Sequence, residues 1–126
     1  MMRRYRDWLR QAKRKLESAK WDLKGKFYED ACFSSQQAAE LAAKAFLERR
    51  GMAEIGYSIF FLLSRVQDIP EDLLEKAKVL DRYYILTRYP NGFDRGAPMD
   101  YFEEKTAKEA IKFAENIIGF IAREIE

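Results

Sequence analysis

The sequence predicts an all-α protein, and more specifically an antiparallel up-and-down four-helix bundle with one additional short helix. Three observations indicate this architecture. Apolar residues recur at three- and four-residue steps along the chain, no segment alternates apolar and polar residues, and Gly or Pro separates the periodic segments. Because 126 residues suit one hydrophobic core, we expect a single domain over residues 1–126.

The first two predicted helices each carry a continuous apolar stripe. The first covers about 20 residues from Tyr5 and ends at Gly25. The second extends from about Phe27 to Arg50, immediately before Gly51. Its stripe is rich in alanine, so we expect neighbouring helices to approach it closely.

The third and fourth helices are delimited by capping residues and prolines. Ser58 is the expected N-cap of the short third helix, because a serine hydroxyl can accept a hydrogen bond from the first turn. Pro70 suits the first turn of the fourth helix, which we expect to continue to Tyr89. Pro90 then prevents its continuation.

A loop and a final helix complete the chain. The stretch PNGFDRGAP has two glycines and two prolines in nine residues, which is typical of a loop. Asp100 and Glu103 follow in a D-x-x-E pattern that predicts the N-cap of the last helix.

Composition excludes several kinds of chemistry. The chain has one cysteine and no histidine, so the common Cys/His metal sites and imidazole acid–base catalysis are excluded, and we expect neither metal nor cofactor. The longest apolar run, Ile59–Leu63, is far below the roughly 20 residues that span a bilayer, and no apolar signal segment is seen. We therefore expect no membrane association and a cytoplasmic location.

The second helix has two different faces. On a helical wheel, Gln37, Glu40 and Lys44 lie together with Phe33 and Leu47, on the side away from the alanine stripe. One interpretation is a solvated face on which Glu40 and Lys44 form an ordinary ion pair worth about 0.3–0.5 kcal/mol. The other is that this helix is packed on more than one side.

Trp21 is a large apolar residue on the polar side of the first helix. It lies about 160° from the apolar stripe, among Arg10, Arg14 and Glu17. It either folds onto the turn at Gly25–Phe27, contacts another protein or stacks on a base, and we favour the first two. We interpret the basic face around it mainly as solvated, with contact to nucleic acid or an anionic membrane as the weaker alternative. That face comprises Arg3, Arg6, Arg10, Lys13, Arg14 and Lys20.

The end of the fourth helix is a second candidate site. Arg88 and Arg95 flank a turn, with Tyr83, Tyr84 and Tyr89 nearby. An arginine at a helix C-terminus either satisfies the last carbonyl groups or binds a phosphate. On the residues alone, the structural role is favoured.

These segments together resemble a known family. The run A-C-F-x-x-Q-Q-A-A-E-x-x-x-K-A begins at Ala31, and R-Y-P begins at Arg88. With Gly56-Tyr57-Ser58 between them, they resemble the HEPN domain, particularly its short stand-alone prokaryotic and archaeal members. The resemblance covers nearly the whole chain.

The resemblance implies a fold, partners and a ligand class. It implies a bundle of four to five helices that forms a homodimer, often with a minimal nucleotidyltransferase in a toxin–antitoxin-like pair, and with nucleotide or RNA as ligand. In the catalytic branch of the family, RNA is cleaved without metal by an arginine that is followed, after four to six intervening residues, by histidine. Carried over, the arginine is Arg88, and the possible histidine positions hold Phe93, Asp94 and Arg95.

The missing histidine decides our prediction of function. Asp94 or Tyr89 could replace it only poorly, because their ordinary pKa values near 4 and 10 suit neither proton transfer at neutral pH. We therefore predict a non-catalytic, homodimeric module that binds nucleotide, RNA or a partner protein; the alternative is a ribonuclease with a degenerate motif. The predicted binding residues are Gln37, Glu40, Lys44, Arg88, Tyr89 and Arg95, and the interface candidates are Trp21, Phe33 and Leu47.

Overall fold

The computed structural model describes residues 4–125. Residues 1–3, which include Arg3 of the predicted basic face, and residue 126 of the expected domain lie outside this range. Within it all regular structure is helical, which confirms the all-α bundle. The elements are α1 (Tyr5–Lys24), α2 (Tyr28–Arg49), α3 (Ile59–Ser64), α4 (Glu71–Asp81), α5 (Tyr83–Leu86), a 3₁₀ turn at Pro90–Gly92, α6 (Pro98–Tyr101) and α7 (Glu104–Ile125).

Helix α2 is the central element of the bundle. It packs against each of the other six helices, and most extensively against α1 and α7. Ala38, Ala39, Ala42 and Ala43 are completely buried, so the neighbouring helices approach α2 from both sides of its wheel. The helix is therefore packed on more than one side.

Leu47 corrects one prediction. We expected it at an interface with another molecule, but it is completely buried in the core of the bundle. The helical wheel assumes that α2 has one buried face, whereas the other helices contact α2 on several sides. Leu47 is a core residue of the monomer.

Two helix boundaries differ from expectation. The predicted fourth helix is divided at Arg82, whose N–H bonds to the Val79 carbonyl three residues back, so α4 ends and α5 starts afresh. The predicted D-x-x-E cap is wrong, because the Asp100 carboxylate accepts a hydrogen bond from the Ala97 N–H at 2.9 Å and so belongs to the short α6. Helix α7 begins only after the extended Phe102.

The long terminal helices follow the sequence pattern closely. Helix α1 buries Leu9, Ala12, Leu16 and Ala19. In α7 all eight predicted apolar positions are buried: Ala107, Ala110, Ile111, Ala114, Ile117, Ile118, Ile121 and Ile125. No helix within residues 4–125 is long and apolar enough to cross a membrane.

Candidate functional site

Arg88 follows α5 and is held against three aromatic rings. Its Nε donates a hydrogen bond to the Tyr84 carbonyl at 2.8 Å. The central carbon of the guanidinium lies 4.5 Å from the ring centre of Tyr84, 4.6 Å from that of Phe33 and 5.0 Å from that of Tyr89. The side chain thus takes the structural role expected of a C-terminal arginine, but with Nε alone. No residue in the described range accepts a hydrogen bond from its terminal Nη atoms.

Tyr57 and Phe33 extend this aromatic surface. The ring of Tyr57 stacks on that of Tyr84, with the centres 3.7 Å apart and the planes 10° apart. Phe33, from α2, reaches the same tyrosine with a tilted contact at 6.3 Å. Three segments that are distant in sequence therefore meet at Tyr84. We call Phe33, Tyr57, Tyr84, Arg88 and Tyr89 the aromatic–arginine cluster.

The predicted polar row of α2 forms a hydrogen-bonded network. The ammonium group of Lys44 lies 2.9 Å from one carboxylate oxygen of Glu40, and the two side chains are only 17% and 13% exposed. The other carboxylate oxygen accepts from the amides of Gln36 at 3.2 Å and Gln37 at 3.3 Å. The interpretation as an open solvated face is therefore wrong.

Gln36 is the residue of this network that the prediction omitted. It is completely buried, and its amide oxygen accepts from Gln37 Nε2 at 2.8 Å. Its Nε2 also donates to the carbonyl of Tyr57 at 3.2 Å. Gln36 thus joins the polar row to the aromatic–arginine cluster, and a fully buried amide of this kind is stable only because its hydrogen bonds are made.

Asp81 fixes the segment that follows Tyr57. Its carboxylate accepts from Ser58 Oγ at 2.7 Å and from the backbone N–H groups of Ile59 at 2.7 Å and Phe60 at 3.2 Å. Burial raises the pKa of Asp81, and although these hydrogen bonds oppose it, the net direction is upward. The start of α3 is therefore capped from α4.

The far end of the polar row meets α1. The Lys44 ammonium lies 6.0 Å from the centre of the Trp8 ring, and Trp8 Nε1 donates to Glu48 at 2.9 Å. Lys44 is thus enclosed by Glu40 and an indole ring. The Lys44 ammonium is therefore largely shielded from solvent.

Asp94 and Arg95 are placed apart from the cluster. Both are exposed in the loop before α6, and no hydrogen bond, ion pair or ring contact joins either side chain to Arg88 within residues 4–125. The loop is ordered by its own residues, since Phe93 stacks on Tyr101 at 4.2 Å and the Tyr101 hydroxyl donates to the Arg95 carbonyl. Tyr89 therefore contacts Arg88, whereas Asp94 and Arg95 do not.

A shallow groove of about 420 Å³ borders Arg88. Glu29 and Asp30, from the first turn of α2, line it together with Pro98 and Met99. These carboxylates disfavour an anion in the groove. The groove beside Arg88 thus combines one cation with two carboxylates.

Trp21 remains exposed. It is 68% accessible, and its ring contacts the Lys24 ammonium at 5.0 Å. No ring contact between Trp21 and Phe27 is present in the described range, so Trp21 does not pack onto the Gly25–Phe27 turn through that ring. Its role at an interface stays a prediction.

A metal-binding cluster or a reactive cysteine would supply further chemistry. Residues 4–125 contain no cluster of three or more His, Cys, Asp or Glu side chains suited to a metal ion. Burial raises the pKa of Cys32 to about 12. The thiol is therefore protonated at neutral pH and is not a nucleophile.

The comparison with known sequences now adds to this geometry. The HEPN domain model matches residues 5–125. The chain belongs to the HEPN domain family. Its most specific sequence features, the polar run of α2 and R-Y-P, are the ones that supply the polar row and the aromatic–arginine cluster.

Three solved structures share the HEPN fold seen here. TT1696 from Thermus thermophilus is 43% identical with a TM-score of 0.95, covering 98% of this chain and 99% of that chain. ST0689, described as an archaeal HEPN homologue, is 40% identical with a TM-score of 0.86, covering 99% and 100%. The HEPN domain protein tm0613 from Thermotoga maritima is 37% identical with a TM-score of 0.75, covering 94% and 96%.

One further relative comes from Methanocaldococcus jannaschii and is named "Putative toxin MJ1304". It is 27% identical over 125 residues, which cover 90% of this chain and 82% of the relative.

Proposed function

We propose that this HEPN protein is a non-catalytic homodimeric module that binds RNA or nucleotides through Arg88. The observation that carries the proposal is the state of this arginine: one hydrogen bond and three rings fix it, while its Nη atoms have no acceptor among the described residues. A guanidinium group presents parallel N–H donors that match two oxygens of a phosphate. Arg88 is thus prepared for an anion.

The missing histidine supports binding rather than cleavage. The family resemblance implies a histidine separated from Arg88 by four to six intervening residues, where this chain has Phe93, Asp94 and Arg95. General acid–base groups each contribute about 10²–10⁴-fold to such reactions. The competing candidate is a residual ribonuclease, and the observation in its favour is the contact of the Tyr89 ring with Arg88.

The family and one relative support a biological setting. We propose that the protein acts in a toxin–antitoxin-like pair with a minimal nucleotidyltransferase. Support comes from the relative named "Putative toxin MJ1304" and from the pairing that the HEPN resemblance implies.

The binding experiment compares two arginines. We expect fluorescence anisotropy with a labelled single-stranded RNA to give at least tenfold weaker binding for Arg88→Ala, because charge-assisted hydrogen bonds contribute about 1.5–3 kcal/mol. The dependence on salt should also become less steep by about one phosphate contact. Arg123→Ala is the matched control, since Arg123 is an exposed arginine in the last turn of α7. Equal effects of the two substitutions, or no binding by the wild type, would refute the proposal.

Two further measurements test the remaining parts. Equilibrium sedimentation should show a dimer, and a monomer at all concentrations would contradict the homodimer. A mixed RNA pool should stay intact with the purified protein. Cleavage that disappears in Arg88→Ala would instead establish the ribonuclease.

A further inference from the structure

Tyr57 presents an aromatic ring that the cluster orders but leaves open. We infer that Tyr57 is a base-stacking residue: one base of a single-stranded RNA stacks on its outer face while a neighbouring phosphate binds Arg88. This inference rests on the proposed function and assigns the ligand a second contact. The arginine–histidine motif of the family does not include Tyr57, so this role does not follow from the motif.

One face of the Tyr57 ring is covered, and among the described residues no second ring stacks on the other face. Tyr84 covers the inner face, with the rings nearly parallel and 3.7 Å apart. The residue is nevertheless 41% exposed. An open face of this kind can accept any base, because all four bases have a π-face.

The backbone of Tyr57 is fixed more firmly than an exposed turn residue requires. The Gln36 amide, which is completely buried, donates to its carbonyl at 3.2 Å. The start of α3 already has its own cap, since Asp81 accepts from two backbone N–H groups and Ser58 Oγ accepts from Phe61 N–H. The bond from Gln36 is therefore additional to the cap, and it fixes Tyr57 itself.

Tyr57 and Arg88 are connected through a single ring. The guanidinium of Arg88 lies 4.5 Å from the centre of the same Tyr84 ring on which Tyr57 stacks. A base-stacking face and a phosphate-binding cation are thus held in one rigid unit. Adjacent bases and phosphates of an unpaired strand can use both at once, whereas the bases of duplex RNA are already stacked and paired. The geometry therefore favours an unpaired strand over a duplex.

The experiment uses the full chain and short single-stranded RNAs that each contain one 2-aminopurine, whose fluorescence falls on stacking. We expect quenching with the wild type and with Tyr57→Phe, which keeps the ring. Tyr57→Leu should lose the quenching and bind at least fivefold more weakly, the effect of removing one base–aromatic stack. Phe61→Leu is the matched control, because Phe61 is a 70% exposed ring four residues later that packs only on Phe60 among the rings of the described residues.

The arms of this experiment separate the two proposals. If Arg88→Ala weakens binding while Tyr57→Leu binds and quenches like the wild type, the stacking role of Tyr57 is refuted and the proposed function stands. If the wild type binds no RNA, both are refuted. Equal loss in Tyr57→Leu and Phe61→Leu would also overturn the inference, because it would indicate general damage to α3; a thermal melt of each variant identifies that case.

Discussion

The part-buried ion pair of Glu40 and Lys44 in α2 allows a sharp test of how this bundle is stabilised. Glu40→Gln keeps the shape of the side chain but replaces one carboxylate oxygen with an NH₂ group. Depending on its orientation, that group faces the Lys44 ammonium or the amides of Gln36 and Gln37, which are donors as well. We expect this substitution to destabilise the protein strongly.

The magnitude follows from burial. Removing one partner of a buried ion pair costs about 3–5 kcal/mol, because the other charge is left without compensation. Lys44 is 17% exposed and can recover part of its hydration, so we expect a loss of about 2–4 kcal/mol. With a urea m-value of roughly 2 kcal/mol/M, the unfolding midpoint should fall by roughly 1–2 M, with an unchanged m-value.

The control is an exposed pair with the same spacing. Glu104 and Lys108 are also four residues apart on a helix, but their side chains are 55% and 61% exposed. Glu104→Gln should therefore change the midpoint only slightly. In the double variant Glu40→Gln and Lys44→Met, we expect most of the lost stability to return, because the uncompensated charge is gone. The reasoning is refuted if Glu40→Gln and Glu104→Gln shift the midpoint equally.

Two other outcomes follow from core residues. Leu47→Ala should lower the free energy of unfolding by about 2–5 kcal/mol in urea titration, because it leaves a cavity in the core, and a surface role would predict almost no change. Cys32 should react with a thiol reagent at pH 8 only after unfolding. Because its folded pKa of about 12 exceeds the unfolded value, Cys32 stabilises the fold fully below pH 9 and progressively less above it; Cys32→Ala should flatten that decline in urea titrations.

The sequence pattern predicts the long helices well because each buries one stripe. Every apolar position expected in α7 is buried, as are four of the stripe in α1. The same reasoning fails for Leu47, because α2 is enclosed by six helices and a single-face wheel does not describe it. Asp100 was misassigned because its carboxylate bonds to a local backbone N–H in a short helix that has no periodic signal.

The candidate site was predictable only in part. Arg88, Glu40 and Lys44 are adjacent to recognisable sequence motifs, and the spacing of the latter two predicts their contact. The connection from Gln36 to Tyr57 spans 21 residues and depends on how α3 is placed against α2. Helical periodicity contains no information on such a contact. The motif Gly56-Tyr57-Ser58 was the available signal, but it does not reveal that the ring reaches Tyr84.

The central position of α2 has a consequence for how this protein can diversify. One side of the helix is an alanine surface against other helices, and another provides Phe33 and the polar row. A substitution in α2 therefore changes the packing of the bundle and the proposed binding surface together. Asp94 and Arg95, exposed in the loop before α6, carry no such double constraint. Sequence changes should accordingly accumulate in that loop, while α2 is retained as a common scaffold.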